Sequence, residues 1–94
     1  MITKGTQEYK KAQQMAWSLE RAAKQSQINS AGYTMYLDEL CKFLRKIMAL
    51  DCFAAQVAKT VDSKMDGRSY YVASISSKQA WILACAAVEN SIEF

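Results

Sequence analysis

Ala80 to Val88 is an unbroken apolar run of nine residues in a chain of 94 without a proline. It constrains the fold more than any other segment. A membrane-spanning helix needs about 20 apolar residues, so this run is far too short to cross a bilayer. Wound as a helix it is apolar on every side, and such a helix must be covered by neighbours on every side. Its several alanines allow those neighbours to approach closely. The run therefore predicts a central helix, the last of the chain, extending to about Ser91. Ser76 and Gln79 just ahead of it form a capping-box pattern, in which each side chain satisfies the other residue's backbone N–H.

The rest of the chain supplies the cover. The first helix is expected to open after Gly5, with Thr6 as N-cap and Glu8 in the first turn, where negative charge suits the helix dipole. Tyr9, Ala12, Met15, Ala16, Leu19, Ala22 and Ala23 form its apolar stripe at three-four spacing. Asn29 to Gly32 carries turn chemistry. A second helix, from about Tyr33 to Leu50, places Tyr33, Tyr36, Leu37, Leu40, Phe43, Leu44, Ile47 and Met48 on one face, with Asp38, Lys42, Arg45 and Lys46 opposite. Asp51 falls where an apolar residue is due, so the helix either breaks there with Asp51 as a new N-cap or continues with a shifted face. Ala54, Val57, Ala58, Val61 and Met65 suit a third helix ending near Lys64. Asp66-Gly67 is a turn signal, and Arg68 to Ile75 has the β-branched and aromatic content of extended chain.

The expected fold is thus mainly α, a compact bundle of about four helices with one short extended segment over about residues 68–75. A chain of this length buries roughly 60 to 70% of the surface its unfolded form exposes, which suits one domain over residues 1–94. The apolar fraction of 51% and the charged fraction of 22% are those of a globular chain rather than a disordered one. The first residues hold no apolar stretch of signal-peptide length, and a cytoplasmic protein with no membrane segment is expected. Cys41, Cys52 and Cys85 are an odd, widely spaced set, which fits free thiols acting as small apolar residues on helix faces.

The composition also narrows the chemistry. There is no histidine, which removes the commonest general base, the usual nucleophile partner and the usual nitrogen ligand of zinc. The cysteines lack C-x-x-C spacing, and Gly5, Gly32 and Gly67 stand alone, so neither a zinc motif nor a phosphate-cradling loop is present. Asp38 and Glu39 point about 100° apart, and Asp62 and Asp66 flank a turn, so neither carboxylate pair resembles an acid–base site. A non-enzymatic chain without a cofactor is expected.

Two surfaces remain as candidates. Trp17 lies on the polar face of the first helix with Lys10, Arg21 and Lys24, and a tryptophan beside arginine is the composition of an interface hot spot. The alternative is that Tyr70-Tyr71 or Ile92 to Phe94 covers it. Lys42, Arg45 and Lys46 cluster on the second helix, where they could contact phosphates, although Asp38 and Glu39 interrupt them. The net charge of +3 permits a nucleic-acid partner without implying one. A protein partner is the favoured reading and nucleic acid the alternative.

Ser76 to Ala87, Ser-x-Lys-Gln-Ala-Trp followed by an alanine-rich helix, resembles the closing helix of small accessory proteins carried by phages and plasmids. The style of the chain is similar to that of their counter-defence inhibitors, the anti-CRISPR proteins among them. The resemblance implies an inhibitor that occupies a surface of a host protein complex, often as a dimer. The positive charge argues against imitation of DNA. A homodimer is also expected from the aromatic surplus and the all-round apolar last helix, the competing arrangement being one in which the other three helices of one chain enclose it.

Overall fold

The computed structural model describes residues 2–26, 33–64 and 75–94. Among the described residues four helices follow one another: α1 (Gln7–Ser26), α2 (Tyr33–Met48), α3 (Phe53–Lys64) and α4 (Ser77–Glu89). The fold is the expected mainly α bundle. The turn at Asn29 to Gly32 and all of the expected extended segment but Ile75 lie outside the described residues; Ile75 itself is buried.

α1 begins as its sequence dictates. Gly5 takes a φ of +91°, a left-handed conformation open to glycine, and turns the chain into Thr6. The Thr6 hydroxyl accepts the Tyr9 N–H at 3.2 Å and donates to the Thr3 carbonyl at 2.7 Å. One donor that the first turn leaves unpaired, the Tyr9 N–H, is thereby satisfied, and the Lys10 N–H makes the first intrahelical bond to the Thr6 carbonyl at 3.2 Å. Ala12, Ala16, Leu19, Ala22 and Ala23 are buried, whereas Tyr9 and Met15, expected on the same stripe, lie at its edges and are half-buried.

On α2, Leu40, Phe43, Leu44 and Ile47 are buried, whereas Tyr36, Leu37 and Met48, expected on the same face, are half-buried. The helix stops at Met48, two residues before the expected Leu50, whose N–H donates to the Ile47 carbonyl at 2.9 Å. The break at Asp51 is therefore real, but Asp51 is not the N-cap. Cys52 holds that position, its carbonyl accepting the Ala55 N–H at 3.1 Å as α3 opens at Phe53. Ala54, Ala55, Ala58 and Val61 then face inward.

α4 packs against all three other helices, but the all-round cover its composition calls for is incomplete, since Trp81, Ile82, Cys85 and Val88 stay half-buried. Ala80, Leu83, Ala84, Ala86 and Ala87 are buried. Trp81 is half-buried, its ring meeting Tyr9 edge-on with centroids 5.1 Å apart. The capping box forms as expected: Ser76 Oγ accepts the Gln79 N–H at 3.2 Å, and Gln79 Oε1 accepts the Ser76 N–H at 3.1 Å.

The end of α4 determines where the chain goes next. Ile92 N–H donates back to the Ala87 carbonyl at 2.8 Å and Ser91 N–H to the Val88 carbonyl at 3.3 Å, the paired bonds of a Schellman turn. Asn90 reinforces it, its side-chain amide donating to the Ala86 carbonyl at 2.8 Å. Such a turn needs a left-handed residue, and Ser91 fills that place at a φ of 55°. The turn swings Ile92 onto the core and Phe94 against Phe43, with ring centroids 5.3 Å apart and planes at 78°. Ser91→Gly is expected to stabilise the fold by up to about 1.5 kcal/mol. It relieves roughly 1–2 kcal/mol of left-handed strain against an entropic cost of about 0.5–1 kcal/mol. A urea midpoint that falls instead would refute the strained turn.

Candidate functional site

Trp17 is 59% exposed. Its place on α1 follows from the helix itself. With Ala12, Ala16, Leu19 and Ala23 directed inward, a residue at position 17 must point to the far side at 100° per residue. Lys10, Gln14, Arg21 and Lys24 are exposed on the same side, and Gln13 and Glu20 are half-buried beside them. The structure thus brings Lys10, Trp17, Arg21 and Lys24 together on one helix face. Neither Ile92 nor Phe94 removes the indole from solvent; both lie along the adjoining flank of α1, beside Lys11, Met15 and Ser18. Cover by Tyr70-Tyr71 concerns residues outside the described ones.

A groove of about 700 Å³ runs along that adjoining flank. Met15 of α1 and Val88, Ile92 and Phe94 give it apolar walls, while Glu8, Lys11 and Glu93 stand at its polar edges. Gln14 and Ser18 line it and adjoin Trp17 on the helix surface, so the groove and the tryptophan face are continuous. Its far wall exists because the Schellman turn folds the chain back. Sequence reading missed the groove; the signal was Asn90-Ser91-Ile92, a polar pair and an apolar residue directly after the helix, a pattern suited to such a turn.

Lys42, Arg45 and Lys46 are all exposed on α2. They occupy a different helix from Trp17, and acidic side chains edge them. Burial raises the Cys41 thiol above its ordinary pKa; the carboxylate of Asp62 on α3 adds to the rise, Arg45 opposes it and Asp38 adds further. Asp38, Arg45 and Asp62 therefore share one neighbourhood, and the positive field of this strip is locally offset.

Two of the three thiols are held back by their surroundings. Burial, and to a lesser extent Glu89, likewise raises the pKa of Cys85, so Cys41 and Cys85 are held protonated at neutral pH. Cys52 is free and exposed. Among the described residues no three His, Cys, Asp or Glu side chains gather as a metal site would require, and no helix is long and apolar enough to cross a membrane.

What the fold and surface define is a small helical domain with a tryptophan displayed among cations on its outer face. No protein family, curated protein or solved structure matches the chain.

Proposed function

We propose that this chain is a non-enzymatic protein-binding module that acts through the outer face of α1. Trp17 is its anchor, with Lys10, Arg21 and Lys24 around it. Taken to its full extent, the reading is that of a phage or mobile-element inhibitor that occupies a surface of a host defence complex in the cytoplasm. The observation that carries it is the 59% exposure of Trp17 on a helix whose other face is buried. A fully buried side chain of this size would contribute several kcal/mol to folding, and the fold leaves most of that contribution unused. The test compares the partners retained from bacterial lysate by the chain and by its Trp17→Ala variant. A partner held equally by both would remove Trp17 from the interface.

The exposure of Lys42, Arg45 and Lys46 supports a second reading, a small nucleic-acid-binding protein. Three phosphate contacts give a logarithmic salt slope of about −3 on duplex DNA, and Arg45→Glu should reduce that slope by about 1. Undetectable binding of a random oligonucleotide at low salt would eliminate this alternative.

A second copy of the chain is the remaining partner. Trp81, Ile82, Cys85 and Val88 stay half-buried on α4, and Phe53 is 66% exposed at the start of α3. Light scattering is expected to report a dimer mass that declines over about a hundredfold dilution. A constant monomer mass at the highest concentration would end the dimer reading.

A further inference from the structure

Lys10, Trp17 and Lys24 are seven residues apart, so they form one row along α1 that drifts by about 20° per interval. The row is about 21 Å long at 1.5 Å per residue, with Trp17 at its centre and Arg21 one turn beyond. Three exposed cations thus surround one exposed indole. Of the two acidic side chains on α1, Glu20 is the nearer to the row by helix angle, and it is half-buried.

We infer that the partner presents an acidic helix to this row. The inference rests on the protein-binding reading and specifies its chemistry. An α-helix laid along α1 repeats its own stripe at the same seven-residue interval, so one apolar side chain can cover the indole. Carboxylates two turns to either side then reach Lys10 and Lys24, and one a single turn away reaches Arg21. A nucleic acid fits the row less well. Duplex DNA carries a charge about every 1.7 Å, whereas the row offers three cations over about 21 Å with Glu20 among them. Its middle is occupied by a side chain suited to apolar cover.

Three helical peptides of about twenty residues test this, long enough to span the row. All carry leucine at the centre of one stripe, and they differ in having Glu, Gln or Lys at the flanking stripe positions. Calorimetric titration into the intact chain at low salt is expected to rank the Glu peptide about tenfold tighter than the Gln peptide, as three exposed ion pairs of about twofold each would give. The double variant Lys10→Glu, Lys24→Glu, altered at exposed positions alone, is expected to favour the Lys peptide instead. Moderate salt should shrink both preferences.

A Glu peptide that binds no tighter than the Gln peptide overturns the inference. So does a duplex oligonucleotide that competes for the row with higher affinity. The two readings fail separately. Equal binding of all three peptides, abolished by Trp17→Ala, overturns the acidic partner and leaves the protein-binding face standing. Binding that ignores Trp17 overturns both.

Discussion

Phe43→Ala is expected to lower the free energy of unfolding by about 3–5 kcal/mol, the range for truncating an enclosed aromatic side chain. Phe43 heads the fully buried side chains by size, so its removal leaves a hole where α2 meets the segment that follows α4. Phe94 also loses its edge-to-face partner, a contact contributing about 0.5–1.5 kcal/mol beyond area alone. At roughly 0.05–0.15 kcal/mol per residue a chain of this length has only about 5–14 kcal/mol in total, so the variant should be marginal at 25 °C. Urea unfolding followed by circular dichroism measures the loss. A midpoint shift equivalent to less than about 1 kcal/mol at unchanged slope would show that Phe43 is not enclosed.

Much of this core was legible because burial in a helical bundle is a matter of period. Leu40, Phe43, Leu44 and Ile47 recur at three and four residues, and so do Ala12, Ala16, Leu19 and Ala23; both sets are buried. Thr6 and Ser76 announced their helix starts because a hydroxyl at the N-cap has a specific donor to satisfy. The missed features depend on what residues far apart in sequence do together. Periodicity put Tyr9 on the core stripe, but a stripe has edges, and the width left for α1 is set by α4. Phe53 passed unremarked because its exposure at 66% reflects where the chain breaks between α2 and α3. The groove required the turn at Ser91, whose left-handed conformation serine does not advertise.

The candidate site was legible in part for the same reason. A polar face of α1 was certain once its apolar face was known, and Trp17 falls on it by angle alone. Whether a distant segment covered the indole was not decidable from spacing, because cover is a tertiary property. The exposure answers that point for the described residues, the chain end included, and it separates two quantities that a core tryptophan would tie together: stability of the fold and affinity for a partner.

Trp17→Ala should therefore change the unfolding free energy by no more than about 0.5 kcal/mol, as expected for a surface position away from caps and packed cores. Alanine even raises helix propensity slightly, which offsets the little packing that is lost. Affinity for the partner should fall by about 2 kcal/mol or more, roughly thirtyfold in dissociation constant, because a tryptophan at the centre of an interface is among its largest contributors. Most of that loss should appear as faster dissociation, since the cations that steer encounter remain in place. Thermal melting and a binding titration on the same two preparations decide the matter. A melting temperature lowered by many degrees would place Trp17 in the core, whereas an unchanged melt with unchanged affinity would move the interface elsewhere on the molecule.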